Sequence, residues 1–250
     1  MSLKKSFFVI SIVSLATLML IAGCGPEVRA KPTLTKIHKY NYQPLKNIPV
    51  VSHSHYPESK LTVEYLPGGS LNGVTILVDA GHGGKDPGAG KKTFSSTPEK
   101  TINLAMAKEL QIRLKAKGAK VIMTRTDDTF IELDERAEMA GRYRVDLLVS
   151  IHADSNPNRY ISGTTIYVSR GCSYKSSKTA RNIQASFTNS NIKCRGVRNQ
   201  DFRVLAKHSR PAVLVECGFM TNEYEAKMLN NTWYRNKVVD AIANGIANTF

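Results

Sequence analysis

The pattern of apolar and polar positions divides the chain into three unequal parts. Residues 7–22 form an almost unbroken apolar run behind a short basic start, Lys4-Lys5. Residues 25 to about 72 show neither a helical nor an alternating period, and they close in Pro67-Gly68-Gly69-Ser70. From residue 73 the texture is regular. Residues 74–80 are a near-continuous apolar run, suited to a strand buried on both faces. Residues 99–117 have helical spacing, with Ile102, Ala105, Met106, Leu110 and Leu114 along one side. Further strands are predicted at 119–124, 147–151, 164–169 and 212–215, and helices at 133–144, 175–188, 222–229 and 233–250. Strands alternating with helices predict an α/β fold of three layers, a mostly parallel central sheet flanked by helices.

The first two parts change where this domain works. A basic start, an apolar core and small residues at its end make residues 1–23 an export signal. Its last residues, Ile21-Ala22-Gly23-Cys24, resemble the lipobox of bacterial lipoproteins, in which Cys24 becomes the acylated first residue of the mature chain. An ordinary signal peptide beside an incidental cysteine is the alternative. Residues 24–72 then read as a lipidated cysteine and a Pro-rich tether, and residues 73–250 as the catalytic domain. His53-Ser54-His55 lies in the tether and reads as incidental.

Composition narrows the partners. The chain is 42% hydrophobic and 22% charged, which excludes collagen-like, coiled-coil and wholly disordered classes. Its 35 Lys+Arg against 20 Asp+Glu give a formal charge of +15 and favour an anionic partner. Export removes nucleic acid from the candidates. Peptidoglycan carboxylates, anionic wall polymers and lipid headgroups remain. Beyond Cys24 stand Cys172, Cys194 and Cys217, an odd count that leaves at least one thiol free. Cys172 and Cys194 either pair as a disulfide or both remain thiols.

The chemistry sits where the buried strands end. In open α/β sheets, sites form just beyond the carboxyl ends of strands. Residues 74–80 run into Gly81-His82-Gly83-Gly84, residues 147–151 into His152-Ala153-Asp154, and residues 212–215 into Glu216-Cys217-Gly218. Thr97-Pro98-Glu99 opens the first long helix, with Thr97 as the expected N-cap. Glu99 is either an acid placed for the helix dipole or a third ligand beside His82 and His152. Two histidines and a carboxylate with one open position make a catalytic zinc set. A second carboxylate outside it, Glu216, would serve as general base.

These residues resemble a known family. The stretch from Ile76-Leu77-Val78-Asp79-Ala80-Gly81-His82-Gly83-Gly84 to Asp86-Pro87-Gly88-Ala89 is similar to the opening motif of zinc-dependent N-acetylmuramoyl-L-alanine amidases of the Amidase_3 type. The similarity continues through Glu99 with Asn103-Leu104, Thr124-Arg125, Leu133 with Arg136, Ser150 to Asp154, and Pro211 to Phe219. It implies that His82, Glu99 and His152 hold one zinc ion per chain and that Glu216 is the catalytic carboxylate. Asp86, Asn103 and Arg125 become candidate substrate-binding residues. The implied reaction cleaves the amide between N-acetylmuramic acid and L-Ala in peptidoglycan. Cys217 departs from the family, which usually has Thr or Ser there.

Two other readings stand beside this one. Ser190-Asn191-Ile192-Lys193 matches the S-x-x-K pattern of penicillin-binding enzymes, so Ser190 with Lys193 is a candidate second nucleophile for a D-Ala-D-Ala carboxypeptidase activity. The other is a wall-binding lipoprotein without catalysis. The interval between His152 and Glu216 reads as one strand, one main helix and loops, leaving no surplus helix to cover the site. No obligatory activator is therefore expected.

Overall fold

The computed structural model describes residues 70–89 and 93–250, all within the compact unit Glu58–Phe250. The export signal, Cys24, the tether and His53-Ser54-His55 lie outside the described residues. Among the described residues no helix is long and apolar enough to cross a membrane.

Twelve elements follow in chain order: β1 (Thr75–Ala80), α1 (Glu99–Ala116), β2 (Lys120–Met123), α2 (Leu133–Arg142), β3 (Leu147–Asp154), β4 (Thr164–Val168), α3 (Tyr174–Asn189), β5 (Cys194–Asn199), α4 (Arg203–Ala206), β6 (Ala212–Phe219), α5 (Glu223–Asn230) and α6 (Thr232–Ala247). The strands form one sheet in the order β2-β1-β3-β6-β4-β5. The four strands from β2 to β6 pair in parallel. β4 joins β6 antiparallel, and β5 joins β4 in parallel. The sheet is thus mostly parallel, as the sequence predicts, with a reversed pair at one edge.

Alternation along the buried strands feeds two cores. Ile76, Val78 and Ala80 of β1, Leu147, Val149 and Ile151 of β3, and Val213, Val215 and Cys217 of β6 point to one face. There they meet α1, α3 and α6 through residues such as Met106, Leu110, Phe187 and Ile242. Leu77, Leu148 and Leu214 point the other way, onto Met139 and Ala140 of α2 and Val204 and Leu205 of α4. Helices therefore cover both faces, giving three layers. Local chemistry sets the helix starts. Ser173 caps α3 by accepting from the Ser176 amide, and Asn222 and Asn231 cap α5 and α6 in the same way. At α1 the cap residue is Pro98 rather than the expected Thr97, and no side chain bonds the first turn.

Two elements escape the sequence reading, β5 and α4. β5 reads Cys-Arg-Gly-Val-Arg-Asn, and as an edge strand it needs no continuous apolar run. The interval between His152 and Glu216 therefore holds two strands and two helices, and α3 packs within the larger core. The register also separates the two cysteines. Cys194 pairs with Thr164 at the start of β4, whereas Cys172 lies four residues past Val168, at the far end of the same strand. Both are free thiols, so the Cys172–Cys194 disulfide is not formed.

Candidate metal centre and active site

The turn after β1 is built by two buried arginines. Arg136 of α2 donates to Asp79 Oδ1 at 2.7 Å, to the Ala80 carbonyl at 2.7 Å and to the His82 carbonyl at 2.7 Å. Arg125, after β2, donates to the carbonyls of Ala80 at 2.9 Å, Gly81 at 2.9 Å and Lys100 at 2.8 Å. Three successive carbonyls that leave the sheet ladder are thereby satisfied, as buried backbone requires. The turn holds His82 in the left-handed region, at φ 61°, where a non-glycine residue is uncommon. Asp79 is itself saturated. It accepts from Thr124 Oγ1 at 2.8 Å and Ser150 Oγ at 2.5 Å besides Arg136. Burial favours its neutral form, but Arg136 and the Ser150 bond outweigh that and lower its pKa.

Opposite this turn, the first residue of α1 enters the cluster. Glu99 Oε1 lies 3.1 Å from His82 Nε2 and 3.2 Å from His152 Nδ1. The same oxygen accepts from Asn103 Nδ2 at 3.0 Å and from the Ala153 amide at 3.1 Å. Its second oxygen takes the Ala89 amide at 2.6 Å. Ligand atoms of His82, Glu99 and His152 all lie within 4.8 Å of one another. The carboxylate is 3% exposed. Burial alone would raise its pKa, yet the hydrogen bonds and charges of His152 and His82 hold it far below the usual range. Asp86 Oδ2 sits 2.6 Å from His82 Nδ1 and so leaves Nε2 directed at the cluster. Two glycines make room. A Cβ on Gly81 would lie 2.3 Å from the His152 ring, and one on Gly88 would lie 2.4 Å from Glu99 Oε2.

Across the sheet, His152 pairs with Glu216 in the β3–β6 register. Glu216 is buried, and its Oε2 has no hydrogen-bond partner among the described residues. Burial, with Asp154 and Glu99 adding negative charge, raises its pKa well above the ordinary glutamate value. Asp154 is raised too, by burial first, with the Ser155 amide and Arg195 opposing. A cleft of about 280 Å³ opens over His82, Asp86 and His152, walled by Phe130, Leu133 and Val204. A buried carboxylate oxygen without a partner among the described residues, on the strand next to His152, is a candidate for proton transfer.

Of the remaining predicted residues, Asp86 lines the cleft and the others do not. Asn103 and Arg125 do not reach the cleft as substrate contacts, because both are buried and their donors serve Glu99 and backbone carbonyls. Asp86 orients His82. Lys193 donates to Ser162 Oγ at 2.7 Å, and Ser190 ends α3 as its C-cap, so the two do not form a nucleophile and base. The Cys217 side chain faces the α1 and α6 core, on the opposite side of β6 from Glu216. Sequence reasoning missed the support formed by Asp79, Arg136 and Ser150. The signal was Asp79 itself, a lone acid inside an apolar strand that demands a buried cation.

Fold and cluster together define an α/β protein with a candidate metal centre at the carboxyl ends of its parallel strands. The chain belongs to the N-acetylmuramoyl-L-alanine amidase family Amidase_3, whose profile matches residues 76–248. It is 39% identical over 178 residues to the uncharacterized protein YqiI of Bacillus subtilis, covering 70% of this chain and 84% of that one. It is 32% identical over 231 residues to the N-acetylmuramoyl-L-alanine amidase LytC of the same organism, covering 92% of this chain and 44% of LytC. The catalytic domain of CwlV, an N-acetylmuramoyl-L-alanine amidase from Bacillus (Paenibacillus) polymyxa, superposes with a TM-score of 0.65 at 36% identity, over 70% of this chain and 97% of that one. The CwlD amidase of Clostridioides difficile, solved in complex with the GerS lipoprotein, gives 0.66 at 32% identity, over 70% of this chain and 98% of CwlD.

Proposed function

We propose that this chain is an exported, zinc-dependent N-acetylmuramoyl-L-alanine amidase of peptidoglycan. The observation that carries the reading is the convergence of His82, Glu99 and His152 within 4.8 Å, beside a buried Glu216 oxygen that no described residue satisfies. Two imidazoles and a carboxylate fit zinc, and one open position leaves room for substrate. His82, Glu99 and His152 would hold the zinc, which would supply Lewis acidity toward the scissile carbonyl and an attacking water.

The residues of the chain do the rest. Asp86 fixes the His82 ring, and Asn103 and the Ala153 amide fix the Glu99 carboxylate. Glu216 takes a proton from the water as its oxygen adds to the carbonyl carbon. The same carboxyl then returns that proton to the leaving nitrogen as the C–N bond breaks. The products are a lactyl carboxylate on the sugar and a free amine on L-Ala. Burial raises the Glu216 pKa, the direction that strengthens its carboxylate as a base for the first step.

Export and anchoring rest on residues 1–24, with peptidoglycan and the membrane as partners and nucleic acid as none. The probable cell wall amidase LytH of Staphylococcus epidermidis, 36% identical over 188 residues, supports a wall-facing site of action. No activator is required in this reading, since α3 belongs to the core and not to a cover over the cleft. The mechanism is tested by mass analysis of products from purified sacculi, combined with elemental analysis. The reading expects a new L-Ala amino terminus, about one zinc per chain, and loss of both metal and activity in His82→Ala. Full zinc occupancy in His82→Ala, or a different broken bond, would overturn it.

A further inference from the structure

β5 carries an irregularity aligned with the candidate active site. Thr164 pairs with Cys194 and Ile166 with Val197, so Arg195 and Gly196 together oppose the single residue Thr165. Gly196 takes φ +95°, the geometry of a bulge built on glycine. On the other side, Thr165 pairs with Glu216, and Glu216 with His152. His152, Glu216, Thr165 and the bulge thus form one row across four adjacent strands.

The bulge resets the alternation of the strand. Cys194 and Val197 both pack against the larger core, three residues apart, which strict alternation forbids. By the same reset, Arg195 and Arg198 share the opposite face, the face of His152 and Glu216. Arg198 pairs with Tyr167, which packs on that side. The Arg195 guanidinium lies 5.5 Å from the centre of the Phe219 ring, and Phe219 pairs with Asp154 just beyond His152.

Neither arginine is bound in a direct ion pair among the described residues, as Arg125, Arg144, Arg159 and Arg181 are not either, although Asp154 and Glu225 feel the Arg195 charge. A partly covered guanidinium fork held on an aromatic ring suits bidentate capture of a carboxylate. Strands lie about 4.8 Å apart, so the Arg195 backbone is about 10 Å from that of Glu216. An extended peptide advances about 3.5 Å per residue. With the stem running across the sheet toward β5, a side chain reaching inward from that strand would meet groups one or two residues past the scissile amide. The sugars of the glycan are neutral there, and the stem peptide is the part that carries carboxylates.

We propose that Arg195, with Arg198 beside it, binds a carboxylate of the stem peptide and sets a preference for substrates whose second stem residue is a free acid over those in which it is a carboxamide. This rests on the amidase reading above. Arg195 is a specificity residue here and takes no part in the bond-breaking step.

The test uses the full chain and two soluble muropeptides that differ only at that carboxyl, free acid or carboxamide. Wild type should favour the acid by about ten- to hundredfold in kcat/KM, the range of one charge-assisted contact. In Arg195→Gln the ratio should fall toward one, and Arg195→Lys should retain part of it. Thermal melting of both variants checks that each is folded. A wild-type ratio near one, or an acid preference that survives in Arg195→Gln, overturns the proposal and leaves the amidase reading standing. Failure of the wild type to cleave either compound overturns the amidase reading, and this one with it.

Discussion

Replacing Arg136 by Met is the sharpest probe of how the active site is held. The guanidinium is 2% exposed and its partner Asp79 is 1% exposed, so solvent does not screen the pair. Met fills much of the same volume but removes the donors to Asp79, Ala80, His82 and Ile131. Breaking one side of a buried pair costs about 3–5 kcal/mol, because the other charge stays buried without compensation. For a domain of this size that corresponds to a fall in Tm of about 6–20 °C. The assay is urea and thermal unfolding of metal-stripped protein, so that metal binding does not shift the curves. The double variant Asp79→Asn/Arg136→Met removes the stranded charge while leaving an acceptor for one of the Thr124 and Ser150 hydroxyls and a donor facing the other. It should recover about 1–3 kcal/mol relative to Arg136→Met. A loss below about 1 kcal/mol in the single variant, or no recovery in the double, would refute the view that this pair is an isolated charge couple supporting the turn.

Other expectations follow from the same geometry. Glu216→Gln should keep its metal and lose about 10²–10⁴-fold in turnover, read by elemental analysis and by sacculus digestion; loss of the metal would make Glu216 a ligand. Gly81→Ala should displace the His152 ring, since the new Cβ would lie 2.3 Å from it, and the variant should bind metal weakly while its circular dichroism stays native. His208 donates from Nε2 to the Val204 carbonyl and accepts the Arg210 amide at Nδ1, an arrangement open only to neutral imidazole. Burial is the main cause of its lowered pKa. Its share of stability is therefore complete above the unfolded value of about 6.5 and is lost as pH falls below it, so unfolding free energy should decline from pH 7 to 5, less steeply in His208→Gln. Cys24→Ser should release the protein from membranes, and wild-type protein without acyl mass on its first tryptic peptide would rule out the anchor.

Much of the molecule is written in local pattern. The apolar runs of β1, β3 and β6 specify strands buried on both faces, and the 3.6-residue spacing of Ile102, Met106, Leu110 and Leu114 specifies α1. These signals survive because burial on a regular element imposes a fixed period. The cluster was legible for a related reason. His82 follows β1, His152 and Glu216 lie toward the carboxyl ends of β3 and β6, and parallel strands deliver those ends to one edge. What the tertiary structure alone decided depends on pairing between distant segments. β5 could not be read, because its edge position tolerates two arginines and a glycine bulge. The separation of Cys172 from Cys194 follows from strand register, which loop length does not reveal. Asn103 and Arg125 turned from substrate contacts into scaffold because their donors meet carbonyls brought near by folding. Residue identity and spacing carry the chemistry a side chain can perform. Whether its polar atoms face the cleft or are consumed within the protein depends on which buried groups remain unsatisfied once every element is in place.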